Sequence, residues 1–229
     1  MSQQIPMFDA AKKAFEDWYL SEPQARCLVL ETLKKKVPSE LVTAYDYQLS
    51  FGKQIVENCQ SLISPTGETN DLYIQGRGVA VLLIDSADKS SRQATIAMLV
   101  SMLIAGNSVV ACTDDKELTK LFSNLAENSE MPANLLQVCS RDNYSALIHQ
   151  DIRNFALIGN SQTAIEINKE LAAKPNAITS LVSETDLITL PNSKDPMLTL
   201  RFATERVRTI NITAIGGNAM LMELGSDKH

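Results

Sequence analysis

Histidine is almost missing from this 229-residue chain: only His149 and His229 occur. A serine or cysteine triad needs a positioned imidazole. His229 is the last residue, where mobility is expected, and His149 stands alone, so neither supports one. No Cys-x-x-Cys or His-x-x-x-His pair is present, which removes the usual spacing of a zinc site. The four cysteines share no close spacing, as in a reducing compartment, and the expected location is the cytoplasm. No apolar run approaches the ~20 residues of a membrane-spanning helix. Basic residues are scattered apart from Lys34–Lys36 and the net charge is -6, so nucleic acid is not expected as a partner. The first residues lack a basic segment followed by an apolar one, so no cleaved signal peptide is indicated.

What is present is ordinary globular material, 45% apolar and 21% charged, long enough to bury roughly 70% of its unfolded surface. Phe8, Ala11, Phe15 and Trp18 recur at three and four residues, and Cys27, Leu30, Leu33 and Val37 do so again beyond a break at Glu22-Pro23. These are two amphipathic helices. A third is expected after Pro38, capped by Ser39, with Leu41, Tyr45 and Leu49 on one side and a continuation past Gly52 to Val56. Residues 1–63 therefore read as a helical lead-in, and Ser64–Asp71 as a turn-rich connector.

From Val79 short continuous apolar runs appear, the mark of strands covered on both faces. They are Val79–Ile84, Val109–Cys112, Leu135–Cys139, Phe155–Ile158 and Ile178–Val182. Between the first two lies Ala94–Ile104, apolar almost all round and closed by Gly106, a buried crossover helix. Leu118, Leu121, Phe122 and Leu125 supply a second crossover, and Ala164, Ile165, Ile167 and Leu171 a later one. The expected fold is α/β over residues 64–190, a Rossmann-like doubly wound parallel sheet of about five strands. After Pro191 and Pro196 the pattern alternates, in Leu198-Thr-Leu-Arg-Phe-Ala and again from Val207 to Thr213. Half-exposed strands in residues 191–229 suit an arm that pairs with another subunit or covers a neighbour, or an ordinary edge hairpin.

Several pieces, in order, resemble the aldehyde dehydrogenase superfamily. Ala14-Phe15-x-x-Trp18 with Arg26 looks like the family's N-terminal helices, and Gly52-Lys53 like its Gly-Lys. Ala105-Gly106-Asn107-Ser108-Val109-Val110 is similar to its Ala-Gly-Asn-x-Val-Val, and Ile158-Gly159-Asn160-Ser161 stands where Thr-Gly-Ser ends a strand. Ser64–Asn70 and the closing stretch from Asn211 to Ala219, Asn-x-Thr-Ala-x-Gly-Gly-Asn-Ala, resemble the C-terminal aldehyde-dehydrogenase-like domain of bifunctional proline-utilisation enzymes. Those enzymes oxidise the glutamate semialdehyde that equilibrates with 1-pyrroline-5-carboxylate. The resemblance implies a truncated aldehyde dehydrogenase fold, NAD as the family cofactor, and a domain without catalytic residues that assembles or seals the working module through its tail.

The departures from the family pattern bear on activity. Such a dehydrogenase needs a cysteine nucleophile, an amide to share the oxyanion and a glutamate base. Asp85-Ser86-Ala87-Asp88 stands where the oxyanion Asn is expected, and Cys112-Thr113-Asp114-Asp115 replaces Lys-Pro-Ser-Glu. The later glycine of the pyrophosphate turn is Ala164. Only 15 residues separate Val182 from Leu198, where the full enzyme inserts its catalytic domain. Among the cysteines, Cys27 and Cys139 read as buried small hydrophobes and Cys59 has no catalytic context. Cys112 stands at a strand's carboxyl end with no histidine near to activate it, so packing is favoured there too. Asp85, Asp88, Asp114 and Asp115 could gather around Mg²⁺, but capping of the following helices is the stronger reading.

The expectation is a pseudoenzyme without catalytic or metal residues, the alternatives being an NAD-dependent 1-pyrroline-5-carboxylate dehydrogenase and an NAD-binding sensor without turnover. Vestigial cofactor contacts are assigned to Cys112, Asp115, Gly159, Asn160 and Ser161, with no cofactor expected and NAD as the alternative. Partner contacts are assigned to Arg208, Ile210, Asn211, Ile212, Thr213, Gly216, Gly217, Asn218, Met220 and Leu221. Their partner is a second copy or a proline-utilisation dehydrogenase. The Gly216-Gly217 pair gives the chain freedom to turn into a Met-rich tail suited to a partner groove.

Overall fold

Three helices carry their apolar stripes at the expected spacing: α1 (Pro6–Leu20), α2 (Pro23–Leu33) and α3 (Ser39–Val56). The computed structural model describes residues 6–211 apart from Thr66, Ala87 and Asn176. Pro23 opens α2, where its missing N–H costs nothing. In α3, Pro38 occupies the cap position and Ser39 is the first helical residue, with its hydroxyl on Glu40. The expected serine cap is thus displaced by one residue, because the extended Pro38 backbone already ends the preceding turn.

The next elements are β1 (Gln60–Leu62), β2 (Glu68–Gly76), β3 (Val79–Ile84), α4 (Lys89–Ala105), β4 (Ser108–Cys112), α5 (Lys116–Ala126) and β5 (Leu136–Cys139). After them come α6 (Tyr144–Leu147), β6 (Asn154–Ile158), α7 (Ser161–Ala172), β7 (Ser180–Glu184), a 3-10 turn at Leu198–Phe202 and β8 (Ala203–Asn211). Five strands form one parallel sheet in the order β5-β4-β3-β6-β7. The expected α/β sheet is present, its strands within two residues of the sequence reading.

Alternation along β3 divides the core in two. Ala80, Leu82 and Ile84 face α2, α3, α4 and α5, while Val79, Val81 and Leu83 face α1, α6 and α7. Each of the larger side chains here contributes about 1.5–3 kcal/mol by leaving water. Helix α4 is buried nearly all round because α3 lies on its outer side. There Gly52 permits the approach, since a Cβ would stand 2.8 Å from Ile104 Cγ2.

The carboxyl end of α4 is tied down from several directions. Gly106 closes it at φ 99°. Trp18 Nε1 donates to the Leu103 carbonyl at 2.8 Å, and Arg26 donates from Nε to Ile104 O at 3.2 Å and from Nη1 to Ser21 O at 2.5 Å. Arg26 is 2% exposed, and burial lowers its pKa. Its charge is met by the helix carbonyls and dipole.

Asn107, fully buried, links this end to its neighbours. Its amide donates to Met102 O and Phe202 O, and its Oδ1 accepts from the backbone of Arg77 and Gly78 and from Asn154 Nδ2.

Two expectations fail around the second, smaller sheet, whose order is β1-β2-β8. The connector at 64–71 runs into strand β2 from Glu68. The stretch from Leu198, expected as a strand, is a 3-10 turn that buries Leu198, Thr199 and Phe202. Polar residues in β2 hide the strand, which exists because β8 pairs with it antiparallel from Glu68↔Asn211 to Gly76↔Ala203. The arm pairs along one edge with β2 of its own chain. A bond between strands so distant in sequence leaves no local signature. No helix of the described residues is long and apolar enough to cross a membrane.

Candidate functional site

The chain order reverses at β3: β4 and β5 follow on one side, β6 and β7 on the other. In doubly wound sheets, ligands lie at the carboxyl ends of the strands flanking such a point. Here that crevice is bounded by Asp85, directly after β3, and by Gly159, directly after β6. The Asp85 backbone N–H reaches Ile158 O at 2.8 Å and that of Gly159 reaches Glu184 O at 3.1 Å, so both residues are held by the sheet.

Asn160 caps α7, its Oδ1 accepting from Thr163 N at 2.9 Å. Ser161 begins the helix and is exposed. The first turn of α7 is where an anion would be received, and the chain places the Asp85 carboxylate beside it. A Cβ on Gly159 would stand 3.0 Å from Asp85 Cβ and 3.6 Å from Asp85 Oδ2. The Thr163 hydroxyl donates to Oδ2 at 3.4 Å, and Arg141 Nε donates to Oδ1 at 2.6 Å. Arg141 has its pKa raised chiefly by that bond. Its backbone N–H reaches Asp114 at 3.1 Å, and its guanidinium lies 5.8 Å from the Tyr144 ring centre. Nothing in the sequence pattern marked this pair, because Arg141 follows a different strand.

Of the cofactor candidates, Gly159, Asn160 and Ser161 come together. Asp115 caps α5 instead, accepting from the Glu117 and Leu118 amides at 2.8 and 3.3 Å and from Arg92 at 2.7 and 3.2 Å. Burial pushes its carboxyl up, but Arg92 and the amides more than offset this and hold it below the usual range. Cys112 is buried in the core, its Sγ 3.6 Å from that of Cys139. Asp88 caps α4 through Ser91 N at 2.9 Å. The acids are thus caps and ion-pair partners, and among the described residues no three His, Cys, Asp or Glu side chains gather as metal ligands.

A buried carboxylate lies beside the crevice. Glu184, fully buried at the end of β7, accepts from Ser193 N at 2.7 Å and Ser193 Oγ at 2.9 Å through Oε2, while Oε1 has no partner among the described residues.

At the other rim, the ribbon displays its candidates. Arg208 Nη2 is 3.0 Å from Asp71 Oδ2, Thr209 bonds Asn70, and Val207 and Ile210 are exposed. Neither β1 nor β8 has a strand on its outer edge among the described residues. Asn211 ends β8. Ile212, Thr213, Gly216, Gly217, Asn218, Met220 and Leu221 lie outside the described residues.

Neither a family model nor a curated protein matches the sequence. Solved structures do. A single-substitution mutant of proline utilization A from Bradyrhizobium japonicum superposes with a TM-score of 0.67 at 24% identity, covering 84% of this chain and 24% of that one. Proline utilization A from Bdellovibrio bacteriovorus, inactivated by N-propargylglycine, gives 0.68 at 14% identity, covering 78% of this chain and 22% of that one. A Burkholderia cenocepacia protein described as an aldehyde dehydrogenase gives 0.63 at 16%, covering 78% of this chain and 42% of that one. The fold is that of these proteins, and the chain spans about a quarter of the length of the proline utilization A structures.

Proposed function

We propose that this chain is a non-catalytic relative of 1-pyrroline-5-carboxylate dehydrogenase that works in proline catabolism as a structural module. It supports assembly of itself or of a proline-utilisation dehydrogenase. The observation that carries this reading is the direct passage from the parallel sheet into the ribbon: residues 185–197 join β7 to the 3-10 turn before β8. No segment there could form a thiol-bearing catalytic domain.

Two of the four cysteines agree with this. Cys27 and Cys112 are buried, and burial, reinforced by Glu57, raises the Cys27 pKa to about 11. Neither supplies a ready thiolate. The Asp85 carboxylate, beside Gly159 and within reach of the Thr163 hydroxyl, opposes a second anion in the crevice, which supports the reading without a dinucleotide. The open edges of β1 and β8 support association by strand addition, with Val207 and Ile210 as exposed apolar contacts.

Light scattering tests the reading. The full chain should show a mass above the monomer, alone or with a proline-utilisation dehydrogenase, and Val207→Lys with Ile210→Lys should lower it. A monomer under both conditions removes the structural role. Formation of NADH from NAD and 1-pyrroline-5-carboxylate, abolished by replacing one cysteine, would instead establish the enzyme.

A further inference from the structure

Cys112 and Cys139 end neighbouring parallel strands and are direct register partners in the β4–β5 ladder. Neighbouring strands run about 4.8 Å apart, within the Cα separation that disulfides span. Both side chains point to the same face, toward the cluster under α1 and α6, and their sulfurs are already 3.6 Å apart. The two thiols differ in access: Cys112 is buried and Cys139 is half-exposed. Cys139 also donates to Ala111 O at 3.6 Å.

We propose that Cys112 and Cys139 form a redox-active dithiol, a modification site that reacts with small-molecule disulfides by thiol–disulfide exchange. Cys139 is the entry sulfur. Its thiol loses a proton to solvent, and the thiolate attacks one sulfur of a disulfide such as oxidised glutathione, forming a mixed disulfide and releasing one glutathione thiolate. Cys112 then attacks Cys139 Sγ and expels the second glutathione. In sum, two protein thiols are oxidised to one disulfide while one glutathione disulfide is reduced to two thiols, the two protons passing to the released thiolates. The Cys112 thiol, by hydrogen-bonding Cys139, holds the Cys139 pKa below the usual thiol value, against burial that raises it, with Asn143 assisting. Access assigns attack to half-exposed Cys139 and resolution to buried Cys112, whose pKa is raised by the same bond and by burial. The product links edge strand β5 to β4.

Because Cys59 is exposed and would itself take up glutathione, the experiment uses Cys59→Ser, leaving Cys27, Cys112 and Cys139. Folded protein is incubated with oxidised glutathione, quenched with acid, then denatured for thiol counting and non-reducing peptide mapping. Titratable thiols should fall from three to one, with the Cys112 and Cys139 peptides joined and released again by dithiothreitol. Adding Cys112→Ser should leave glutathione trapped on Cys139. Three retained thiols, a bridge to Cys27, or glutathione persisting on Cys139 with Cys112 intact would each overturn the proposal. Should Cys112→Ser fail to fold, the peptide map of the intact pair decides alone.

Discussion

Asn154 Nδ2 donates to Asn107 Oδ1 at 3.1 Å, joining the start of β6 to the residue after the α4 cap inside the protein. Asn107 satisfies five polar groups at once. Replacing it by Leu strands buried N–H and carbonyl groups, each costing about 1–3 kcal/mol. Asn107→Leu should therefore lose at least about 3 kcal/mol in urea unfolding. A loss below about 1 kcal/mol would show that water replaces the network.

Arg26 and Trp18 cap the same helix end. Trp18→Phe keeps most of the buried ring and removes one hydrogen bond, so about 1 kcal/mol should be lost. Arg26→Met removes two bonds and the charge at the α4 carboxyl end, and should cost more than Trp18→Phe. The reverse order in denaturant midpoints would contradict the capping account.

Two helix caps make stability sensitive to acid. The Asp88 carboxyl is held below its ordinary value chiefly by the Ser91 amide, and Asp115 by Arg92 and its own amides against burial. A carboxyl whose folded pKa is depressed contributes stability above its unfolded value, ~3.9, and loses it as pH falls through the lower folded value. Asp88→Asn retains the cap but not the titration. Its unfolding free energy should therefore fall less than that of the unaltered chain between about pH 4 and 2. Parallel curves would show that Asp88 titrates alike folded and unfolded.

If Asp85 fills the anion position at α7, removing it should open that position. Asp85→Ser leaves Arg141 and the α7 amides facing the crevice and should bind inorganic pyrophosphate at least about tenfold more tightly, a difference of about 1.4 kcal/mol. Equal calorimetric affinities for the two proteins would place the anion elsewhere.

The parallel sheet was legible because its strands are continuous apolar runs and its helices have strong stripes and end signals, as at Gly106. Strand β2 was not. Its residues from Glu68 to Asp71 are polar and turn-forming, and only β8, over a hundred residues later, makes them a strand. The 3-10 turn at Leu198–Phe202 was misread because Leu198, Leu200 and Phe202 alternate in sequence, yet Leu200 points outward. At the candidate site, the glycine and caps of α7 could be placed from the pattern. The Asp85–Arg141 pair could not, since it depends on the geometry of two separate loops.

Strand β2 passes into β3 through Arg77 and Gly78 alone, so the ribbon leaves the molecule from the amino ends of the parallel strands, while the crevice opens at their carboxyl ends. A subunit clasping the ribbon would grip the central strand from behind. Assembly through one rim would leave the opposite rim free to face solvent, so each surface could change without disturbing the other.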